Sequence, residues 1–121
     1  MNNSNDRIFP RYETSQLKVE IIFPIIEHAT YYLENASLSG IQIYGNSKII
    51  TNDFNQIHVK LSAKEIFTTN AYQVWHEDIN PETSNSMEFR SGMRLKFIDS
   101  AHYEKWLKFI TALHVVNLKK S

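Results

Sequence analysis

Four arginines stand in two pairs of equal spacing, Arg7-x-x-x-Arg11 and Arg90-x-x-x-Arg94, and every other cationic residue is a lysine. A guanidinium is a planar fork of donors that grips carboxylate, phosphate or a guanine edge through two bonds at once, which an ammonium cannot do. A second polar group is the stretch Asn35-Ala36-Ser37-Leu38-Ser39-Gly40. Asn35 and Ser37 are two apart, a spacing that puts both side chains on one face of extended backbone. Gly40 lets the chain turn or lets a ligand approach the backbone closely. An amide, a hydroxyl and open backbone suit a planar polar molecule. Two guanidiniums in a polar leader suit wrapping an anion. Each motif alone is also ordinary, as a solvated tail and as a turn rich in Asn and Ser.

Other chemistries find less support. There is no Gly-x-Ser-x-Gly elbow and no glycine-rich phosphate loop before a helix. The histidines His28, His58, His76, His102 and His114 lack metal-ligand spacing. His76-Glu77-Asp78 sets acid beside imidazole, but at the start of a hairpin it reads as a solvated cluster. The expectation is therefore a binding protein rather than an enzyme, with no metal and no cofactor. The 121 residues carry 13 basic and 13 acidic side chains, a formal net charge of zero. That argues against a basic stripe for nucleic-acid polymers, although Tyr12, Tyr31, Tyr32, Tyr44 and Tyr72 are available for stacking. Aromatics in strands are more often wall or core residues.

With no cysteine, a disulfide framework and thiolate metal sites are excluded, which fits a reducing compartment. No apolar run reaches membrane-spanning length, so membrane insertion is not expected. The opening Met1-Asn2-Asn3-Ser4-Asn5-Asp6 lacks the apolar core of a signal peptide. A cytoplasmic location is the expectation.

The elements that must position these residues read as follows. Residues 1–15 form an irregular, flexible arm, and 16–121 form one domain. Leu17, Val19, Ile21 and Phe23 alternate with other residues at the period of a half-buried strand. Tyr31-Tyr32-Leu33 and Ile41-Gln42-Ile43-Tyr44 flank the polar corner as strands, and Gly45-Asn46 is a turn signal. Lys48-Ile49-Ile50 is a short extended piece, Thr51 to Gln56 a loop, and Ile57 to Leu61 a strand. Glu65 to Thr68 begins another strand, with a turn near Asn70. Ala71 to His76 is a strand by composition. Asn80 to Ser86 is a hairpin tip, and Met87, Phe89 and Gly92 to Ile98 return as strand. Asp99-Ser100 caps a helix over about 101–117. That helix carries apolar residues over roughly 180°, wider than the roughly 100° that packing on one core requires. The excess is either plain exposure or a surface for a protein partner or a second copy of the chain. Short strands at close spacing followed by one helix imply a small antiparallel β-barrel with a C-terminal helix.

Taken in order, the two polar groups resemble the two-part signature of the PilZ domain family, Arg-x-x-x-Arg followed by Asp/Asn-x-Ser-x-x-Gly. The likeness runs from Arg7 to Leu113. The Arg-Ile-Phe-Pro-Arg-Tyr arm leads into a strand as in the family. Tyr72-Gln73-Val74-Trp75 looks like its Val-Val-Trp strand. Gly92-Met93-Arg94-Leu95-Lys96-Phe97 looks like its Gly-(Val/Ile)-Arg-Phe strand, and the closing helix carries Trp106. The resemblance implies a six-stranded antiparallel barrel and a bacterial receptor, not an enzyme, for the second messenger cyclic di-GMP. It implies that Arg7 and Arg11 grip phosphates and guanine edges, that Asn35 and Ser37 hold guanine or backbone groups, and that Gly40 keeps the corner open. The signal would pass to a partner when the ligand orders the arm. Two departures stand out: Asp6 precedes Arg7 where many members have a basic residue, and Ile41 follows Gly40 where a second glycine is frequent. Arg94 matches a common family position, whereas Arg90 is not assigned. The alternative expectation keeps the fold and drops the ligand, leaving a PilZ-like protein-protein adaptor.

Overall fold

A computed structural model describes residues 10–26, 29–46, 55–78 and 89–120. Within them run seven strands and a helix: β1 (Tyr12–Glu13), β2 (Glu20–Ile22), β3 (Tyr31–Ala36), β4 (Gly40–Gly45), β5 (Asn55–Lys60), β6 (Ile66–Asp78), β7 (Phe89–Lys96) and α1 (Ser100–Lys120). A single 3-10 turn, Ser15–Leu17, separates β1 from β2. Antiparallel pairing runs β3–β2–β5–β6–β7–β4 and returns to β3. The result is the expected closed six-stranded antiparallel barrel with a C-terminal helix, and closure leaves the ring no open edge. β1 stands outside the ring count. It shares an edge of β3 with β2, opposite Asn35 and Ala36, while β2 lies opposite Tyr31 and Tyr32.

Alternation fills the interior. Ile21, Leu33, Ile41, Ile43, Ile57, Val59 and Phe67 are all 1% exposed or less. Met93 and Leu95 point inward while Arg94 and Lys96 face solvent, as the last strand's pattern requires. One end of the barrel is closed by α1. Its Trp106 is fully buried, with ring centroids 5.5 Å from Phe67 and 5.4 Å from Phe109. The helix starts where its cap sits, since the Asp99 Oδ1 accepts a 2.9 Å bond from the His102 amide. Its exposed side carries Tyr103, Leu107, Val115 and Val116, so the wide apolar arc does reach solvent. No helix among the described residues is long and apolar enough to cross a membrane.

Several expectations are corrected. There is no turn near Asn70. β6 is one strand of 13 residues, because Asn70 pairs with Lys96 on one side and Gln56 on the other. Asn55 and Gln56 belong to β5 rather than to a loop. Over residues 10–15 the leader is not irregular: Tyr12–Glu13 is strand, Tyr12 is 7% exposed and Thr14 is 1% exposed. Leu17 is not a strand residue but lies in the 3-10 turn, exposed, and the chain leaves that turn through Lys18 at φ 57°. The helix spans 100–120, a little longer than its apolar pattern indicated. The pieces expected at 48–50 and 80–86, with Met87 and His28, lie outside the described residues.

Burial makes one part of this core sensitive to alkali. Tyr31 is 2% exposed and its ring lies 5.1 Å from that of Phe23, and this desolvation pushes its phenol from 10.0 up to about 12. The native state therefore holds the proton longer than the unfolded chain does. Stability is intact below the unfolded value and falls as pH rises through the interval between the two. By about pH 11.5 the loss from this group should reach about 2 kcal/mol. Denaturant unfolding of wild type and Tyr31→Phe at about pH 8 and about pH 11.5 should show a smaller loss in the variant, which has no proton to lose.

Candidate ligand-binding site

Between β3 and β4 lie Ser37, Leu38 and Ser39, and a 2.9 Å bond from the Ser37 amide to the Gly40 carbonyl closes the corner around Leu38–Ser39. Connections this short usually take positive φ, which matches the strand twist. Here Lys18 alone among the described non-glycine residues has positive φ, and no glycine does. So the corner needs props. The Ser37 hydroxyl accepts from the Gly40 amide at 3.2 Å and donates to the Gly40 carbonyl at 3.3 Å. The Trp106 indole N–H is shared between the Ser37 and Leu38 carbonyls at 3.2 and 3.1 Å. Leu95 donates its amide to the Ser39 carbonyl at 3.0 Å.

This assigns Gly40 a physical reason other than turning. A Cβ there would sit 2.9 Å from the Met93 carbonyl oxygen, so glycine lets β4 lie close against β7. Ser37 is 4% exposed, and its hydroxyl is engaged within the corner.

One step back along β3, the register slips between Leu33 and Asn35. In this β-bulge Leu33 and Ala36 both face the core, while Glu34 and Asn35 are each only partly covered. Thr14 satisfies the bulged backbone: its amide donates to the Glu34 carbonyl at 3.0 Å and its hydroxyl to the Leu33 carbonyl at 3.1 Å. Glu13 of β1 lies opposite Asn35, and the residue just before β1 reaches the same side chain. Arg11 Nη1 donates to Asn35 Oδ1 at 2.9 Å. The two halves of the sequence motif thus meet at the barrel wall. Arg7, and Asp6 beside it, lie outside the described residues.

Register extends the site across the outer wall. Asn35 stands opposite Gln42, Gln42 opposite Gly92, and Gly92 opposite Trp75. The Trp75 indole lies over Gly92, where a Cβ would meet it, and stays 39% exposed. An exposed indole at the end of a polar row is a platform on which a base can stack. The neighbouring row reads Tyr32, Tyr44, Arg90, Glu77. Glu34 lies between the rows, accepting from Arg90 Nε at 2.9 Å and from Gln42 Nε2 at 2.8 Å, and Arg90 Nη1 reaches Glu77 at 3.4 Å. The Tyr44 phenol is pushed up by burial first, and then by the negative charge of Glu34 and by Tyr32. Sequence reading missed Glu34 and Gln42 and left Arg90 unassigned. Glu34 and Gln42 signal only by position beside the motif, Arg90 only by its spacing to Arg94, and the bulge that gathers them leaves no mark in the spacing.

The described histidines take part in packing or solvent contacts. His114 bonds the Tyr12 hydroxyl at 2.8 Å, His102 accepts from the Thr68 amide at 3.2 Å, His58 bonds the Thr68 hydroxyl at 2.8 Å, and His76 is exposed. Tyr12, counted above as available for stacking, is buried against α1. Among the described residues no three His, Cys, Asp or Glu side chains are placed to hold a metal.

No protein-family model matches the sequence, and no curated protein matches it. Solved structures do match in shape. The PilZ domain of YcgR from Escherichia coli, determined with c-di-GMP, aligns with a TM-score of 0.70 at 14% identity, covering 94% of this chain and 95% of that one. YcgR from Escherichia coli in complex with c-di-GMP gives a TM-score of 0.69 at 14% identity, covering 94% of this chain and 48% of that one. The fold is therefore PilZ-like.

Gly40→Ala should destabilise the protein by about 1–3 kcal/mol, because the obstructing atom is backbone and cannot swing aside. Chemical denaturation measures this, and a change within a few tenths of a kcal/mol would mean that β4 and β7 can separate at no cost.

Proposed function

We propose that the protein is a bacterial cytoplasmic receptor for cyclic di-GMP and not an enzyme. The observation that carries this reading is the contact between Arg11 and Asn35, which joins the two halves of the motif on one stretch of barrel wall. The PilZ-like fold supports it, since the matched YcgR domain was solved with that nucleotide. In this reading Arg11 and Arg7 bind phosphate and guanine edges bidentately, as the fork of donors allows. Asn35, held by Arg11 in the absence of ligand, exchanges that bond for guanine and offers both an acceptor and donors. Ser37 and Gly40 keep the corner in shape and present its backbone. The ligand orders the arm that carries Arg7 over the wall, and a protein partner or a second copy reads the change through α1. A groove of about 430 Å³ between the 3-10 turn and α1, lined by Leu17, Phe109, Leu113 and Val116, lies directly after β1 and is the natural place for such a readout.

A second reading is a PilZ-like adaptor that binds protein without the nucleotide. It is favoured by the internal engagement of the Ser37 hydroxyl and by the exposed apolar side of α1. Titration calorimetry with cyclic di-GMP separates the two. Bonds to charged groups contribute roughly 1.5–3 kcal/mol each, so Arg7→Ala and Arg11→Ala should each weaken binding about tenfold or more. Wild type at 100 times Kd should gain about 2.7 kcal/mol of stability in a thermal-shift assay. No binding by wild type, or wild-type affinity in both variants, would discard the proposed site.

A further inference from the structure

We infer that Arg90 is a positioning residue for the proposed nucleotide site: by pairing with Glu34 it removes a negative charge that would otherwise stand beside the ligand's phosphates. The inference rests on the receptor reading above and deepens it. The bulge in β3 sends Glu34 outward next to Asn35, so a carboxylate adjoins the amide that Arg11 holds. Glu13 lies opposite Asn35 on the other side. Without Arg90, the described charges around this wall would be Arg11 and Arg94 against Glu13, Glu34 and Glu77, still an excess of negative charge facing a dianion. Arg90 changes that balance. It stands in the row next to Gln42 and Asn35, and its Nε meets Glu34 at 2.9 Å with side-chain exposures of 35% and 20%. The carboxylate is held from a second direction by Gln42 at 2.8 Å. Charge on Glu34 is felt along this wall, since it contributes to the upward shift of the Tyr44 phenol.

The test is a charge cycle read by titration calorimetry with cyclic di-GMP at low salt. R90M should weaken binding about three- to thirtyfold, the range expected for one unit charge several ångströms away near a protein surface. E34Q should tighten binding, because a negative charge beside the site is gone and Arg90 keeps only the exposed Glu77 as counter-charge. The double variant E34Q/R90M should return to within about twofold of wild type, and R90K should stay close to it. The effect of R90M should shrink in high salt, as it does for exposed charges. A merely structural ion pair gives a different pattern: both single changes weaken binding or neither does. Wild-type binding with R90M unchanged, or E34Q weaker than wild type, overturns the role of Arg90 alone. Absence of wild-type binding overturns the receptor reading and this inference together. Should R90M fail to fold, the tightening demanded of E34Q still decides the matter.

Discussion

One extra residue in β3 governs the outer wall of this barrel. Strict alternation from Leu33 to Ala36 would carry Ala36 outward, and either the core or the corner would lose its register. The bulge between Leu33 and Asn35 restores the inward position of Ala36 and leaves two consecutive polar side chains on the outside. Those two side chains do different work. Asn35 meets Arg11 and Glu34 meets Arg90, so the leader and the barrel wall are joined to β3 at adjacent positions. A bulge leaves backbone groups unpaired, and Thr14, directly after β1, supplies the missing donors. Residues 11–14 are thus docked by the same irregularity that gathers Glu34 and Asn35 on the outer wall.

The second constraint comes from the helix. Trp106 has one donor to give, and it gives it to the carbonyls of the β3–β4 corner, about seventy residues earlier in the chain. The ring itself fills the end of the barrel against Phe67. A single side chain therefore joins core, corner and helix. The helix is tied again near its other end, where the Tyr12 hydroxyl meets His114. Since Tyr12 follows Arg11 directly, the residue that would bind ligand and the residue that anchors the leader to α1 are neighbours. A displacement of β1 would have to break or carry with it a contact on the helix. The exposed apolar side of α1 is in this sense mechanically connected to the site.

Much of this was legible in the sequence, and the parts that were not share a cause. Period-two alternation located the strands around Ile21, Ile43, Val59 and Leu95 and their inward faces, because burial on one side of a sheet imposes that pattern. Asp99 announced the helix through its capping role. Local preference divides β6 at Asn70, since asparagine is a turn residue in isolation, yet its backbone is paired on both sides, and tertiary pairing outweighs local preference. The composition of the leader is polar and Pro10 interrupts it, which in isolation implies a loose segment. Tyr12 and Thr14 are held by partners more than 15 residues away, which no local pattern contains. The motif residues were visible as a group through order and spacing. The partners Glu34, Gln42 and Arg90 depend on register, which spacing alone does not disclose.

The motif itself mixes two kinds of residue. Gly40 is required by the approach of the Met93 carbonyl whether or not a ligand is present. Ser37 is required by a corner whose connection lacks the positive φ that would let it close unaided. Both would persist in a barrel of this shape that had lost its ligand. Asn35 and Arg11 are different, since the barrel's core does not need an amide or a guanidinium on its outer wall. In the proposed receptor the information about ligand chemistry would therefore reside in the arginines and the asparagine, while serine and glycine report the geometry of the hairpin. In a chain whose net charge is zero, attraction for an anion must be local. It depends on how these few cations are set against Glu13, Glu34 and Glu77, and not on the field of the protein as a whole.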